Sequence, residues 1–191
     1  MSFVKIFTEP PFSVEEILRY AKSDIHDEKM ISLVKELINE AKNVFSYKVC
    51  YSIFPLNIKG ESIDLGAFSF ESKALAKSLQ NSSEIIVFAA TVGVGIDRLI
   101  NKYSSISPSK ALIFQAIGTE RIEALCDMFC NELEQPHTPR FSPGYGDLPL
   151  DCQKDIFALL DCQKNIGLTL NDSMLMSPMK SVTAFIGLKE V

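Results

Sequence analysis

Tryptophan is absent from the 191 residues and histidine occurs only twice, at His26 and His137. A chain so poor in imidazole has little material for a histidine-based triad or a histidine-built metal centre. No P-loop, no GxSxG elbow and no HExxH helix is present. The five cysteines, Cys50, Cys126, Cys130, Cys152 and Cys162, form an odd set without a CxxC pair. That pattern suits a reducing compartment better than a disulfide framework. Apolar runs are short: Ile85 to Val94 extends ten residues, well under the eighteen or so that span a bilayer. Basic residues are outnumbered as well, 19 against 24 acidic, and the net charge of −5 argues against nonspecific binding to nucleic acid or an anionic membrane. The first eleven residues, ending in Pro10-Pro11, lack the basic start, apolar stretch and cleavage site of a signal peptide. A cytoplasmic protein with neither nucleic acid nor membrane as partner is the expectation.

What the chain does have is apolar periodicity. A hydrophobic fraction of 47% beside 23% charged residues is that of a folded protein rather than a disordered or fibrous one. The length fits one domain over 1–191 that buries about 70% of the surface of its unfolded chain. Val14, Ile17, Leu18 and Ala21 predict a short helix opened by Ser13, and the stripe from Met30 to Val44 predicts an amphipathic helix over about 27–44. Residues 45–70 are rich in β-formers, with a turn at Lys59-Gly60-Glu61-Ser62. A short helix over 71–80, opening from Ser69 or Ser72, leads to a central strand at Ile85–Ala90. Helices are predicted over 96–103, from Ser107-Pro108 to about Glu134, and over about 151–165 closed by Gly167, with a last strand from Ser181. The order lacks regular βαβα alternation. The predicted class is therefore α+β, a largely antiparallel twisted sheet flanked by long helices.

Three features could carry chemistry. Gly93-Val94-Gly95 follows a strand and precedes a helix, but Arg98 stands where a dinucleotide fingerprint needs its third glycine, so a tight strand-to-helix turn is the better reading. Cys126 and Cys130, one helical turn apart, read as small apolar core residues of the long helix. The third feature is the loop Arg140 to Leu150, where an arginine and a tyrosine flank a Pro143-Gly144 corner. Pro-Gly pins a loop by fixing one φ and permitting φ > 0 at the next residue. Both a plain surface turn and a ligand site fit this pattern. Glu120, Glu123 and Asp127 line one face of the helix that delivers the chain to this loop. Arginine beside glutamates suits a ligand with a carboxylate at one end and an ammonium or sulfonium near it, and a tyrosine could cover an aromatic base.

From Arg140 onward the chain resembles the activation (reactivation) domain of vitamin B12-dependent methionine synthase. The matching residues are Arg140-x-x-Pro143-Gly144-Tyr145 with Pro149, Ile156-Phe157-x-Leu159-Leu160-Asp161 with Lys164 and Gly167, Leu170-Asn171-Asp172-Ser173, Met176-x-Pro178, and Ser181-Val182-x-Ala184. Residues 1 to about 80 match only in general order, and 84–191 is the expected ligand-binding core. Ile186-Gly187 stands where the family carries an aromatic pair. The resemblance implies binding of S-adenosylmethionine. Arg140 would take the methionyl carboxylate, Pro143, Gly144 and Tyr145 would line the ligand, and Glu123 and Glu134 would face its cationic end. It also implies a cobalamin carried by a partner, either a methionine synthase or a related corrinoid protein, and a flavodoxin-like electron donor. The chain would then be a self-standing component of a methyltransferase rather than a complete enzyme. A non-catalytic adaptor on a corrinoid protein and an unrelated small-molecule sensor are the alternative readings.

Overall fold

Strand β6 (Ser82–Thr91) is apolar on successive residues because both of its faces are covered. Ile86, Phe88 and Ala90 belong to one hydrophobic core, and Ile85, Val87 and Ala89 to a second on the opposite side. Successive side chains of a strand point to opposite faces, so one uninterrupted run of sequence supplies two cores. In this computed structural model, which describes residues 2–66 and 68–189, β6 lies inside a four-stranded sheet. The order is β1 (Phe3–Phe7), β2 (Tyr47–Pro55), β6 and β9 (Ser181–Lys189), and each neighbouring pair is antiparallel. Full burial of a residue such as Phe88 contributes about 1.5–3 kcal/mol, and both cores are dense in such residues.

One face of the sheet carries α1 (Val14–Tyr20), α2 (Glu28–Ala41), α4 (Gly95–Ile106) and the long α5 (Pro108–Asn131). Local chemistry starts these helices. The Ser13 side chain accepts from the Glu16 N–H, Asp27 accepts from Lys29 and Met30, and Pro108 occupies the first turn of α5, where a missing N–H costs nothing. The other face carries α3 (Lys73–Ser78), α6 (Cys152–Leu160) and α7 (Cys162–Ile166). A small three-stranded sheet, β3 (Asn57–Lys59), β4 (Ser62–Asp64) and β5 (Ser69–Glu71), lies at this side, and a two-stranded one, β7 (Thr169–Leu170) with β8 (Met176–Ser177), precedes β9. Among the described residues no helix is long and apolar enough to cross a membrane.

The architecture is the antiparallel sheet between helices that the sequence predicts, with four local differences. Phe3–Phe7 forms an edge strand where no strand is predicted. The expected helix over 151–165 is two helices, because Asp161 takes the left-handed conformation at φ 46° and ends α6. The long helix stops at Asn131 rather than near Glu134. The Ser107 side chain makes no capping bond to α5. The Gly93-x-Gly95 corner is the tight turn expected: a side chain on Gly95 would meet the Val44 carbonyl oxygen at 2.1 Å, so helix α4 can start there only on glycine.

Candidate functional site

Between α5 and the Pro143-Gly144 corner the chain is bound to the free edge of β9. Thr138 N–H donates to the Gly187 carbonyl, and Gly187 N–H donates back to the Thr138 hydroxyl, both at 2.9 Å. Phe141 and Phe185 exchange both backbone bonds, at 2.9 and 2.8 Å, and Lys189 N–H reaches the Pro136 carbonyl at 2.9 Å. The segment therefore behaves as a further strand in two pieces, bridged at His137–Leu188 and Phe141–Phe185. Strand alternation then directs its side chains. Phe141 packs against the core on the α6 side, and Arg140, its neighbour, turns the other way, onto α5.

There the Arg140 guanidinium meets two carboxylates one helical turn apart. Its Nη2 donates to Glu123 Oε2 at 3.0 Å and to Asp127 Oδ1 at 2.9 Å. The Arg140 side chain keeps 25% of its surface exposed, against 39% for Glu123 and 65% for Asp127. Burial opposes the arginine's charge, but neighbouring anionic groups, the Glu123 and Asp127 carboxylates among them, more than offset it and raise its pKa above the ordinary value. Cys126 itself is fully buried, and that burial pushes its thiol up to about 12. It is thus a protonated core residue at neutral pH, as its spacing suggests, and not a nucleophile.

Past Arg140 the loop folds on its own backbone. Tyr145 N–H donates to Ser142, Gly144 N–H to Leu148 and Leu148 N–H to Tyr145, at 3.1, 2.9 and 3.1 Å. Gly144 sits at φ +83°, a conformation costly for any side-chain-bearing residue. Pro143 and Leu148 are buried beneath the turn, whereas Tyr145 is 71% exposed. The Tyr145 ring stands edge-on to Phe141, with centroids 5.5 Å apart and planes at 90°. Asp147 fastens the loop to the opposite layer: its carboxylate accepts from the Ser72 hydroxyl at 2.5 Å, Lys73 N–H at 2.9 Å and Ala74 N–H at 3.1 Å, at the start of α3. Those bonds, Ser72 foremost, hold the Asp147 carboxyl below the usual carboxylate range.

One member of the acidic row, Glu120, is placed differently from its neighbours. Glu120 is not on a solvated face; it is buried and paired with fully buried Arg121. Arg121 also donates to the Pro10 and Pro11 carbonyls and stacks over Phe12 at 3.8 Å, while Glu120 accepts from Ser13 N–H. This pair clamps the chain before α1 onto α5. Glu134 lies on the exposed turn after α5 and, among the described residues, forms no ion pair with Arg140. Ile186 is fully buried in the core against the helices. It therefore walls no cleft, whatever residue stands there in the family. Beside the Arg140 cluster, a cleft of about 450 Å³ opens between α1, α5 and Pro10-Pro11, lined among others by Tyr20, Glu123 and Asp127. Burial, assisted by the Glu123 charge, raises the Tyr20 hydroxyl above its ordinary pKa.

Of the sequence-predicted residues, the structure brings together Arg140 and Glu123, and places Pro143, Gly144 and Tyr145 in the loop that follows. Asp127 and Asp147 are the additions. Asp127 was legible as a member of the acidic row, but not as a partner of Arg140. Asp147 carries no local signal, since its partners lie 75 residues away or nearly so.

No curated protein sequence matches the chain. A solved structure does: a crystal structure of the MetH reactivation domain bound to AdoHcy superposes with a TM-score of 0.70 at 15% identity, over 98% of this chain and 78% of that one. Residues 134–190 match the family described as vitamin B12 dependent methionine synthase, activation domain. The segment that carries Arg140, Tyr145 and β9 is thus similar to the activation domain of vitamin B12-dependent methionine synthase, and the chain has the fold of that reactivation domain over nearly its whole length.

Proposed function

We propose that this chain binds S-adenosylmethionine at the Arg140 loop and presents it to a cobalamin carried by a partner methionine synthase or related corrinoid protein. The observation that carries the reading is the fixed guanidinium. Arg140 is held in place by the β9 edge, still partly open to solvent, with carboxylates on one side and the exposed ring of Tyr145 following in the loop.

Each residue has a task that its chemistry allows. The Arg140 fork matches a carboxylate in two-pronged geometry. Glu123 neutralises an ammonium or sulfonium beside that carboxylate, and exposed Glu134, six positions before Arg140, adds to the acidic rim. Gly144 leaves bare backbone for close approach, Pro143 fixes the corner, and Tyr145 offers an aromatic face to a base. S-adenosylmethionine supplies an electrophilic methyl group, for which the partner's cobalamin, reduced by a flavodoxin-like donor, is the acceptor. The chain itself binds, orients and excludes, so its contribution is positioning. A cytoplasmic setting follows from the same reading, since the five cysteines are free thiols buried in the cores.

Calorimetric titration with S-adenosylmethionine and S-adenosylhomocysteine tests the binding step; no interaction at millimolar ligand would sink it. Restoration of methyl transfer to an inactivated cob(II)alamin synthase, on adding this protein with S-adenosylmethionine and reductant, tests the rest. One observation favours the adaptor reading instead: Arg140 is already occupied by its own carboxylates. A complex with a corrinoid protein that forms equally well with Arg140→Ala and Tyr145→Ala variants would decide for it.

A further inference from the structure

We propose that Asp127 is a built-in competitor for Arg140, a latch that a ligand carboxylate has to displace, and that it sets the affinity of the site. The inference rests on the binding role given to Arg140 above. Both carboxylate bonds of the guanidinium leave from one nitrogen: Nη2 donates to Glu123 Oε2 at 3.0 Å and to Asp127 Oδ1 at 2.9 Å. An Nη2 group has two hydrogens, so both are committed. A carboxylate can grip arginine in two-pronged fashion either end-on, through Nη1 and Nη2, or side-on, through Nε and Nη2. Either grip needs an Nη2 hydrogen, and one resident carboxylate must leave.

Asp127 is the one that leaves. Its side chain is 65% exposed against 39% for Glu123, so the released Asp127 carboxylate returns to water at little cost. Glu123 also lies near enough to Tyr20 across the cleft for its charge to add to burial in raising the Tyr20 hydroxyl. Staying in place, Glu123 keeps a negative charge for the ligand's cation. Asp127 opposes binding twice over, by occupying Nη2 and by repelling an incoming anion.

The test is Asp127→Asn, which keeps the shape of an exposed side chain and removes its charge. The variant is expected to bind S-adenosylhomocysteine about two- to fivefold more tightly than the parent chain. Affinity for 5′-methylthioadenosine, which lacks the carboxylate, is expected to stay the same. Unchanged or weaker binding of S-adenosylhomocysteine overturns the latch, and so does equal tightening of both ligands. The Arg140 side-chain resonance in ¹⁵N-labelled protein gives a readout without ligand: in Asp127→Asn it is expected to shift and exchange faster with water. An unmoved resonance overturns the latch in any case. If neither protein binds S-adenosylhomocysteine while the resonance moves, the ion pair stands, but the binding role of Arg140 and the latch's part in it both fall.

Discussion

Arg121 and Arg140 both answer to carboxylates of α5, and their surroundings make them different instruments. Arg121 is sealed: fully buried, bonded to Glu120 and to two proline carbonyls, with Phe12 across its face. Arg140 is held from below by backbone bonds of its own segment, keeps part of its surface open, and bonds both of its carboxylates through a single nitrogen. Charge alone does not mark a ligand arginine. Hydrogen-bonding capacity left open at a fixed position is the better criterion, and of these two arginines it is Arg140 that keeps part of its surface in solvent.

The comparison breaks most visibly at Arg121. Arg121→Ala is expected to destabilise the fold by about 3–5 kcal/mol, because it strands the buried Glu120 carboxylate and two proline carbonyls. Urea unfolding measures this, and adding Glu120→Gln should recover part of the loss. Arg140→Ala should do the reverse: a change of about 1 kcal/mol or less in stability, but a drop of roughly 10- to 100-fold in S-adenosylhomocysteine affinity by calorimetry. Equal stability losses at the two arginines would erase the distinction. Tyr145→Ala sharpens it on the ligand side, with stability expected to stay within about 0.5 kcal/mol and affinity to fall by roughly two- to tenfold.

The smallest effect concerns the loop's anchor. Hydrogen bonds hold the Asp147 carboxyl below the ordinary value of 3.8, so the stability it contributes is present above that value and lost as pH falls through the lower folded-state value. Thermal melts taken down through that acid range should show this loss in the parent chain and not in Asp147→Asn. The same acid-dependent loss in both proteins would remove Asp147 as the cause.

Much of this was legible because burial writes itself into periodicity. The apolar run of β6 and the Ser107-Pro108 start of α5 announced the central strand and the long helix, and Arg140, Pro143, Gly144 and Tyr145 stood out as a constrained loop. Strand β1 did not announce itself, since Phe3, Val4, Lys5 and Ile6 are all exposed and leave no buried alternation to read. Asp161 gave no warning either, because a left-handed non-glycine residue inside a helical pattern is rare. The Glu120–Arg121 pair was hidden for a geometric reason: adjacent residues do not face each other on a helix surface, so their joint burial depends on Pro10 and Pro11 arriving from far away in sequence. Asp127 was visible as charge but not as Arg140's partner, for the same lack of a local signal.

The backbone bonds that lay 136–141 along β9 also decide how the site responds to change at a distance. An arginine on a free loop would have to be ordered by its ligand, and part of the binding energy would go into that ordering. Here the ordering is done by the sheet, through Thr138, whose hydroxyl accepts from Gly187 and donates to the Pro139 carbonyl. Thr138 thus ties to the sheet the segment from which Arg140 reaches Glu123 and Asp127, although its own side chain contacts neither carboxylate.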